Sequence, residues 1–250
     1  MSQPVAIVTA SGQGIGAGIA RSFAAAGYRV SLMSPSERSV RLAEELGGVG
    51  RSGSVLEPDD LAALVDATLA AYGRLDAVVN NTGHGSSEPP EVTERTGFDP
   101  DNEFDPLAFP DDGWHQALDL YVLAVVRMAR VVTPVFQRLE GGAIVNVSSF
   151  TSLEPRAGYP QMSVLRGALH GFTKLYADRY AREGIRMNNV LPGYCENVAM
   201  TDAARRSIPM ARQASFDEIG QTCVFLASAA SSYVTGQNVL VDGGLVRAVR

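Results

Sequence analysis

The sequence predicts an α/β chain built on an open, mostly parallel, doubly wound sheet of about seven strands, with helices on both faces. Three observations carry that expectation. Strand and helix signals alternate along the whole chain. The apolar run Val5–Val8 is followed by Gly12, Gly14, Gly16 and Gly18, with Ile15, Ile19 and Phe23 at helical spacing. No repeat and no linker divides the 250 residues, so a single domain over 1–250 is expected. Right-handed crossovers would then place helices on both faces of the sheet.

The elements follow in order. Val5–Val8 is long enough for a buried strand, and the glycine-rich turn after it opens a helix. Strand, glycine turn and helix begin a dinucleotide-binding βαβ unit of Rossmann type. The glycines let the backbone approach a pyrophosphate, and the helix N-terminus offers it unpaired N–H groups. Arg29–Met33 reads as a second strand, Ser36–Leu46 as a helix and Val49–Val55 as a weak third strand. Pro58 suits a first helical position, and Asp59 and Asp60 favour the positive end of a helix running to Tyr72. Leu75–Asn80 is a fourth strand, Trp114–Leu139 a long helix, Ala143–Val147 a fifth strand and Pro160–Ala181 a second long helix. Ile185–Leu191, Phe216–Ala227 and Asn238–Val241 complete the pattern as strand, helix and strand.

Composition limits the function. The chain is 46% apolar and 19% charged, a globular balance. No apolar run approaches the roughly 18 residues of a membrane helix, so no membrane partner is expected. MSQPVAIV enters the first strand directly, leaving no room for a signal peptide. The two cysteines, Cys195 and Cys223, have no metal-ligand spacing around them, so no metal and a reducing, cytoplasmic location are expected. A net charge of −6 argues against a nucleic-acid partner. That charge resides in His84–Gly113, where Glu88, Glu91, Glu94, Asp99, Asp101, Glu103, Asp105, Asp111 and Asp112 face Arg95 alone. This irregular insertion is expected to be a lid that favours a cationic or neutral small-molecule substrate.

Six stretches together resemble the short-chain dehydrogenase/reductase family. Thr9-Ala10-Ser11-Gly12-Gln13-Gly14-Ile15-Gly16 is similar to its TGxxxGxG turn, and Asn80-Asn81-Thr82-Gly83 to its NNAG. Ile144-Val145-Asn146-Val147-Ser148-Ser149 resembles the strand that delivers its serine, and Pro192-Gly193 its PG. Tyr233–Gln237 and Val241–Gly244 resemble its C-terminal signature. The resemblance implies hydride transfer between a nicotinamide cofactor and a carbonyl or alcohol, with a Ser–Tyr–Lys set assisted by an Asn. It also implies a homotetramer or homodimer paired through the two long helices.

The sequence departs from the family at the chemistry. Counted from Ser149, the tyrosine position holds Met162 and the lysine position Arg166, while Tyr121 stands for the asparagine. A thioether has no proton to give, and arginine keeps its proton at any useful pH. Tyr159, one turn before Met162, is a candidate replacement acid, with Tyr121 and His84 behind it. Where NAD-binding members carry a carboxylate after the second strand this chain has Ser34, with Ser36 and Arg38 nearby, so NADP(H) is favoured over NAD(H). Ser54 replaces an acid expected to contact adenine, with Val55 beside it. Three functions stay open: a divergent reductase of carbonyls or imines, a catalytically silent nucleotide-binding homologue, or non-redox chemistry with Ser149 and Arg166 gripping an anion.

Overall fold

A computed structural model describes residues 3–82, 105, 107, 109–197 and 200–248. Seven parallel strands form one sheet in the order β3-β2-β1-β4-β5-β6-β7. They are β1 (Val5–Thr9), β2 (Arg29–Ser34), β3 (Val49–Ser52), β4 (Ala77–Asn80), β5 (Gly142–Val147), β6 (Ile185–Pro192) and β7 (Asn238–Val241). Strand order reverses between β1 and β4. In open α/β sheets of this kind the carboxyl ends of the strands at such a switch point are where a ligand binds.

All of β1 is buried, and its side chains alternate between two cores. Ala6 and Val8 face a core formed with α1 (Gly14–Ala25), α2 (Arg38–Glu45) and the C-terminal helix Phe216–Ala227. Val5 and Ile7 face the opposite core, formed with α3 (Pro58–Tyr72) and the two long helices. The period of two along a strand thus serves both layers. Pro58 opens α3, and Gly73 ends it at φ +69°, a left-handed conformation that glycine adopts without steric cost.

The first long helix is not one regular α-helix. It comprises α4 (Asp111–Leu118), a π-helical turn (Asp119–Leu123) and α5 (Ala124–Arg138). It begins ahead of the expected Trp114 because Pro110 precedes it and Asp111 and Asp112 occupy its first turn. Val125, Met128 and Ala129 are buried within the subunit, and Val122 and Val126 partly so. The apolar surplus of this helix is thus largely absorbed by its own core. The second long helix is α6 (Pro160–Tyr180). The short α7 (Asp202–Ser207), capped by the Thr201 hydroxyl on Ala204 N–H, was not legible because six residues show no period. Nearly all of the acidic insertion and its expected lid lie outside the described residues. No described helix is long and apolar enough to cross a membrane.

The final helix, α8 (Phe216–Ala227), crosses α1 at backbone distance. A Cβ added to Gly18 would stand 2.3 Å from Phe216 Cβ, and one on Gly220 would stand 2.1 Å from Ser22 Oγ. The approach fixes α1, and with it the glycine turn at its N-terminus. Gly18→Ala is therefore expected to lower stability by about 1–3 kcal/mol through overpacking, read as a fall in thermal midpoint. An unchanged midpoint would mean the crossing is not tightly set.

Candidate active site

The turn between β1 and α1 is shaped by three close contacts. Ala10 sits at φ +48°, a left-handed conformation that disfavours a side chain. Asn81 Nδ2 donates to Ala10 O at 3.2 Å, and Asn81 N–H donates to Thr9 Oγ1 at 3.2 Å. Beneath them, a Cβ on Gly16 would lie 2.2 Å from Ala10 O and 2.5 Å from Asn81 Nδ2. Only glycine fits that position. Ser11 N–H donates to Met33 O at 3.3 Å, tying the turn to β2. Gly14 adopts φ +55° at the start of α1, and Gln13, the residue before it, makes no side-chain cap. The first N–H groups of α1, at Gly14, Ile15 and Gly16, thus lack a capping side chain, a geometry suited to an anion.

The carboxyl end of β2 meets this turn. A Cβ on Gly12 would lie 2.8 Å from Ser34 Oγ, 3.1 Å from Arg38 Cβ and 3.4 Å from Ser36 Oγ. Ser34 Oγ donates to Ser36 O at 3.0 Å, and Arg38 Nη1 donates to Gln13 Oε1. Two hydroxyls and the stem of Arg38 therefore converge beside Gly12, with the Arg38 guanidinium on neighbouring Gln13. After β3, Ser54 N–H donates to Asp60 Oδ2 at 2.8 Å, and Ser54 Oγ accepts from Leu56 N–H at 3.1 Å. Val55 packs against the second core.

Beyond β4 and β5 lie the residues that the sequence resemblance sets at the family's catalytic positions. Arg166 reaches from α6 to the ends of both strands. Its Nη1 donates to Val147 O at 2.6 Å and to Thr82 Oγ1 at 3.4 Å, and its Nη2 donates to Thr82 O. Its guanidinium carbon lies 4.5 Å from the centre of the Tyr121 ring, and the π-helical turn carries that ring. Arg166 is buried at 4% exposure, and its Nε has no hydrogen-bond partner among the described residues. Burial pushes its pKa down to about 10, partly opposed by Tyr121, so it stays charged at neutral pH.

Ser149 is buried, accepts a hydrogen bond from Thr151 N–H at 3.2 Å, and has its Oγ 2.9 Å from Thr151 Oγ1. On α6, Met162 is half-buried one turn before Arg166, and Tyr159 directly precedes the helix. Gly83 and His84 lie outside the described residues. Pro192 ends β6, and Gly193 follows it so closely against Asp242 that a Cβ there would lie 2.8 Å from Asp242 Cα.

Sequence reasoning missed three features. Tyr194, after Gly193, stacks edge-on against Phe150 with ring centres 5.2 Å apart. Burial holds its phenol well above the ordinary tyrosine pKa, and nearby Tyr159 adds to that while Arg156 opposes it. His170 Nε2 lies 2.9 Å from Ser148 Oγ and 3.2 Å from Ser152 Oγ, so it grips both sides of Ser149. Asn80, Asn146, Asn189 and Asn238 form an amide ladder across β4 to β7, with Nδ2 to Oδ1 distances of 2.9, 3.0 and 2.7 Å. Their positions in four separate strands gave no local signal; only the strand registers align them. Burial pushes the Cys195 thiol up to about 12, which leaves it unreactive at neutral pH. No group of His, Cys, Asp or Glu among the described residues is arranged to hold a metal ion.

A parallel sheet with a glycine turn at its switch point defines a dinucleotide-binding fold of Rossmann type. A protein-family model described as Enoyl-(Acyl carrier protein) reductase matches residues 9–246. Oxidoreductase UcpA of Salmonella typhimurium is 33% identical over 260 residues, covering 96% of this chain and 93% of that protein. 3-oxoacyl-[acyl-carrier-protein] reductase FabG of the same organism is 29% identical over 251 residues, covering 96% of each. Cis-4-hydroxycyclohexanecarboxylate dehydrogenase of Sinomonas cyclohexanicum is 32% identical over 257 residues, covering 97% of this chain and 96% of that protein. The solved TT0495 protein of Thermus thermophilus superposes with a TM-score of 0.82 at 29% identity, covering 97% of this chain and 99% of that one. The chain belongs to the short-chain dehydrogenase/reductase family, whose members are NAD(P)-dependent oxidoreductases.

Ala10→Gly removes the left-handed strain without touching a hydrogen-bonded group. It is expected to raise stability by up to about 1 kcal/mol, measured by denaturant unfolding. A loss of stability would show that the Ala10 methyl makes a contact worth more than the strain. Arg166→Lys keeps the charge but loses the fork that spans Val147 and Thr82. About 1–3 kcal/mol should be lost, visible in the same experiment; a neutral result would mean the two carbonyls find other donors.

Proposed function

We propose that this protein is an NADP(H)-preferring reductase of a small carbonyl or imine substrate, working with an altered proton supply. The observation that carries the cofactor reading is the convergence of Ser34, Ser36 and Arg38 beside Gly12, with no carboxylate at Ser34. A 2′-phosphate would meet donors there and no opposing charge at that position. The turn Ser11–Gly16 would hold the pyrophosphate, Ser54 and Val55 the adenine side, and Asn81, Thr82, Gly83, Pro192 and Gly193 the nicotinamide side. The missing Cβ atoms at Gly12 and Gly16, and the absence of a capping side chain on α1, support that fit. When bound, such a cofactor supplies or accepts a hydride.

The chain's own residues must then handle the proton. Met162 has none to give. Arg166 orders the ends of β4 and β5 and keeps its proton. Ser149 would orient a substrate oxygen. Tyr159 is the proton donor in this reading, with Tyr194 as its neighbour. An iminium substrate would need no protonation to accept hydride. The acidic insertion suits such a cation.

NADPH consumption is the direct test, across matched ketones and imines with the parent and Tyr159→Phe. Ketone turnover should fall roughly 10²–10⁴-fold in Tyr159→Phe, while iminium turnover should change little. Equal ketone rates in both proteins would remove Tyr159 from the mechanism. By calorimetry NADPH should bind more tightly than NADH, and Arg38→Ala should narrow that gap; tighter NADH binding would overturn the cofactor preference.

The commitment of Arg166 to two backbone carbonyls also favours a second reading, a silent nucleotide-binding homologue. It would bind the cofactor and turn over nothing in the panel. The same commitment weighs against the third reading, in which Arg166 grips an anionic substrate. Assembly as a homotetramer or homodimer in the cytoplasm is part of the proposal. Val164, Ala168, Gly171 and Leu175 form an exposed stripe of apolar and small residues along α6, and the family pairs that helix with a copy of itself. Light scattering at micromolar concentration should give a dimer or larger, and Leu175→Asp should reduce it; a monomeric parent would refute the pairing.

A further inference from the structure

Two successive turns of α6 hold the chain on either side of Ser149. Arg166 and His170 stand four apart and so share one face of that helix. Arg166 Nη1 donates to Val147 O at 2.6 Å, two residues before Ser149. His170 Nε2 lies 2.9 Å from Ser148 Oγ and 3.2 Å from Ser152 Oγ. Between those two serines, Ser149 caps the short 3₁₀ turn Phe150–Ser152, and its Oγ accepts from Thr151 N–H at 3.2 Å. A serine hydroxyl 2.9 Å from an imidazole nitrogen is also the geometry of a nucleophile beside its base. The neighbouring hydrogen bond decides between the two roles. Ser152 Oγ lies 2.5 Å from Ser149 O, a carbonyl oxygen that only accepts, so the single hydroxyl proton of Ser152 is committed there. Toward His170, Ser152 Oγ is left as an acceptor. Nε2 must then carry hydrogen, because two bare lone pairs at 3.2 Å would repel. Ser148 Oγ shares that N–H in a three-centre bond. His170 is therefore a donor at Nε2 and not a base for Ser148.

We propose that His170 is a positioning residue for Ser149: it donates through Nε2 to Ser148 and Ser152, fixes the turn between them, and so aims the Ser149 hydroxyl at a substrate oxygen. The catalytic part rests on the reading above, in which Ser149 orients that oxygen. Through Ser152 the grip reaches the Ser149 carbonyl, and through Ser148 it reaches the residue before it. Backbone on both sides of Ser149 is thereby held from α6, while its Oγ keeps its contacts with Thr151 N–H and Thr151 Oγ1. The neutral Nε2–H tautomer and the imidazolium both donate at that atom, so the grip does not depend on the charge of the ring. It lies beyond β5, whereas the proposed phosphate site lies at the turn after β1. Substrate orientation and nucleotide affinity are thus separable by experiment.

The test compares the intact protein with His170→Leu, which has no donor, and His170→Gln, whose amide N–H restores one. Nitrogen-15 NMR of the imidazoles, with His170 identified by its loss in the variants, should show hydrogen on Nε2. A bare Nε2, with hydrogen on Nδ1 alone, would overturn the assignment. Exchange of the Thr151 amide reports the contact to Ser149 Oγ. It should be on the order of tenfold faster in His170→Leu and within about threefold of the parent in His170→Gln; equal exchange in all three proteins would overturn the grip. In ketone reduction with NADPH, His170→Leu should lower kcat on the order of 10–100-fold, with NADPH affinity by calorimetry within about twofold of the parent. His170→Gln should recover most of that loss. Equal losses in both variants, or a parallel fall in NADPH affinity, would show a merely structural role and overturn the positioning. Ser152→Ala removes the link to Ser149 O and should reproduce the fall in kcat, so the inference stays falsifiable if His170→Leu does not fold. A parent that binds NADPH and reduces no ketone would overturn the reductase reading, while the Nε2 hydrogen and the Thr151 exchange would still judge the grip itself.

Discussion

A buried guanidinium held, among the described residues, by backbone carbonyls and an aromatic ring is the constraint on which this end of the structure depends. Arg166 ties α6 to the ends of β4 and β5 through the carbonyls of Thr82 and Val147. Burying a charge costs less where hydrogen bonds use its donors, and here the two terminal nitrogens serve backbone oxygens that would otherwise need partners, while Nε has none among the described residues. The remaining face is covered by Tyr121. A regular α-helix would aim residue 121 differently; the π-helical turn at Asp119–Leu123 adds the extra residue that redirects it. Arg166 and Tyr121, which the resemblance sets at a lysine and an asparagine position, are thus joined in one contact.

The phosphate end depends on close approach rather than charge. Gly16 brings α1 under the Ala10 carbonyl, Asn81 holds that carbonyl from the other side, and Gly18 sets α1 against α8. Each of these positions excludes a larger side chain. The left-handed Ala10 persists because its surroundings fix it, a local cost borne by the packing of the two helices and the β4 loop. The amide ladder from Asn80 to Asn238 continues this organisation sideways, satisfying polar groups that would otherwise be stranded inside the sheet.

These two ends differ in what they preserve. The turn, the crevice and the donors beside Gly12 retain what nucleotide binding needs. The tyrosine position retains nothing that transfers a proton, since Met162 is a thioether and Arg166 is committed to carbonyls. His170 and Thr151 still organise the serine loop, and Tyr194 and Tyr159 still place phenols beside it. Binding and proton supply are separable demands on one crevice, and in the proposed reading substitution has fallen on the second.

The sequence by itself determined the layout. Apolar runs of strand length alternating with helical patterns specify a parallel sheet, and the order of the elements follows from them; proline and acidic signals such as Pro58, Asp59 and Asp60 mark the start of α3, whereas the first long helix begins at Asp111, ahead of the expected Trp114. Met162 and Arg166 stand four apart on the helix expected from Pro160, and residues four apart on a helix lie on the same side. What tertiary structure decided was partnership. Whether Arg166 faced an acid, a ligand or a carbonyl depended on residues 84 and 19 positions away. Likewise, Tyr194 and His170 acquire their neighbours only when β5, β6 and α6 come together. Local pattern follows from the chemistry of adjacent residues, whereas the environment of a buried charge is set by whichever distant groups the fold packs around it.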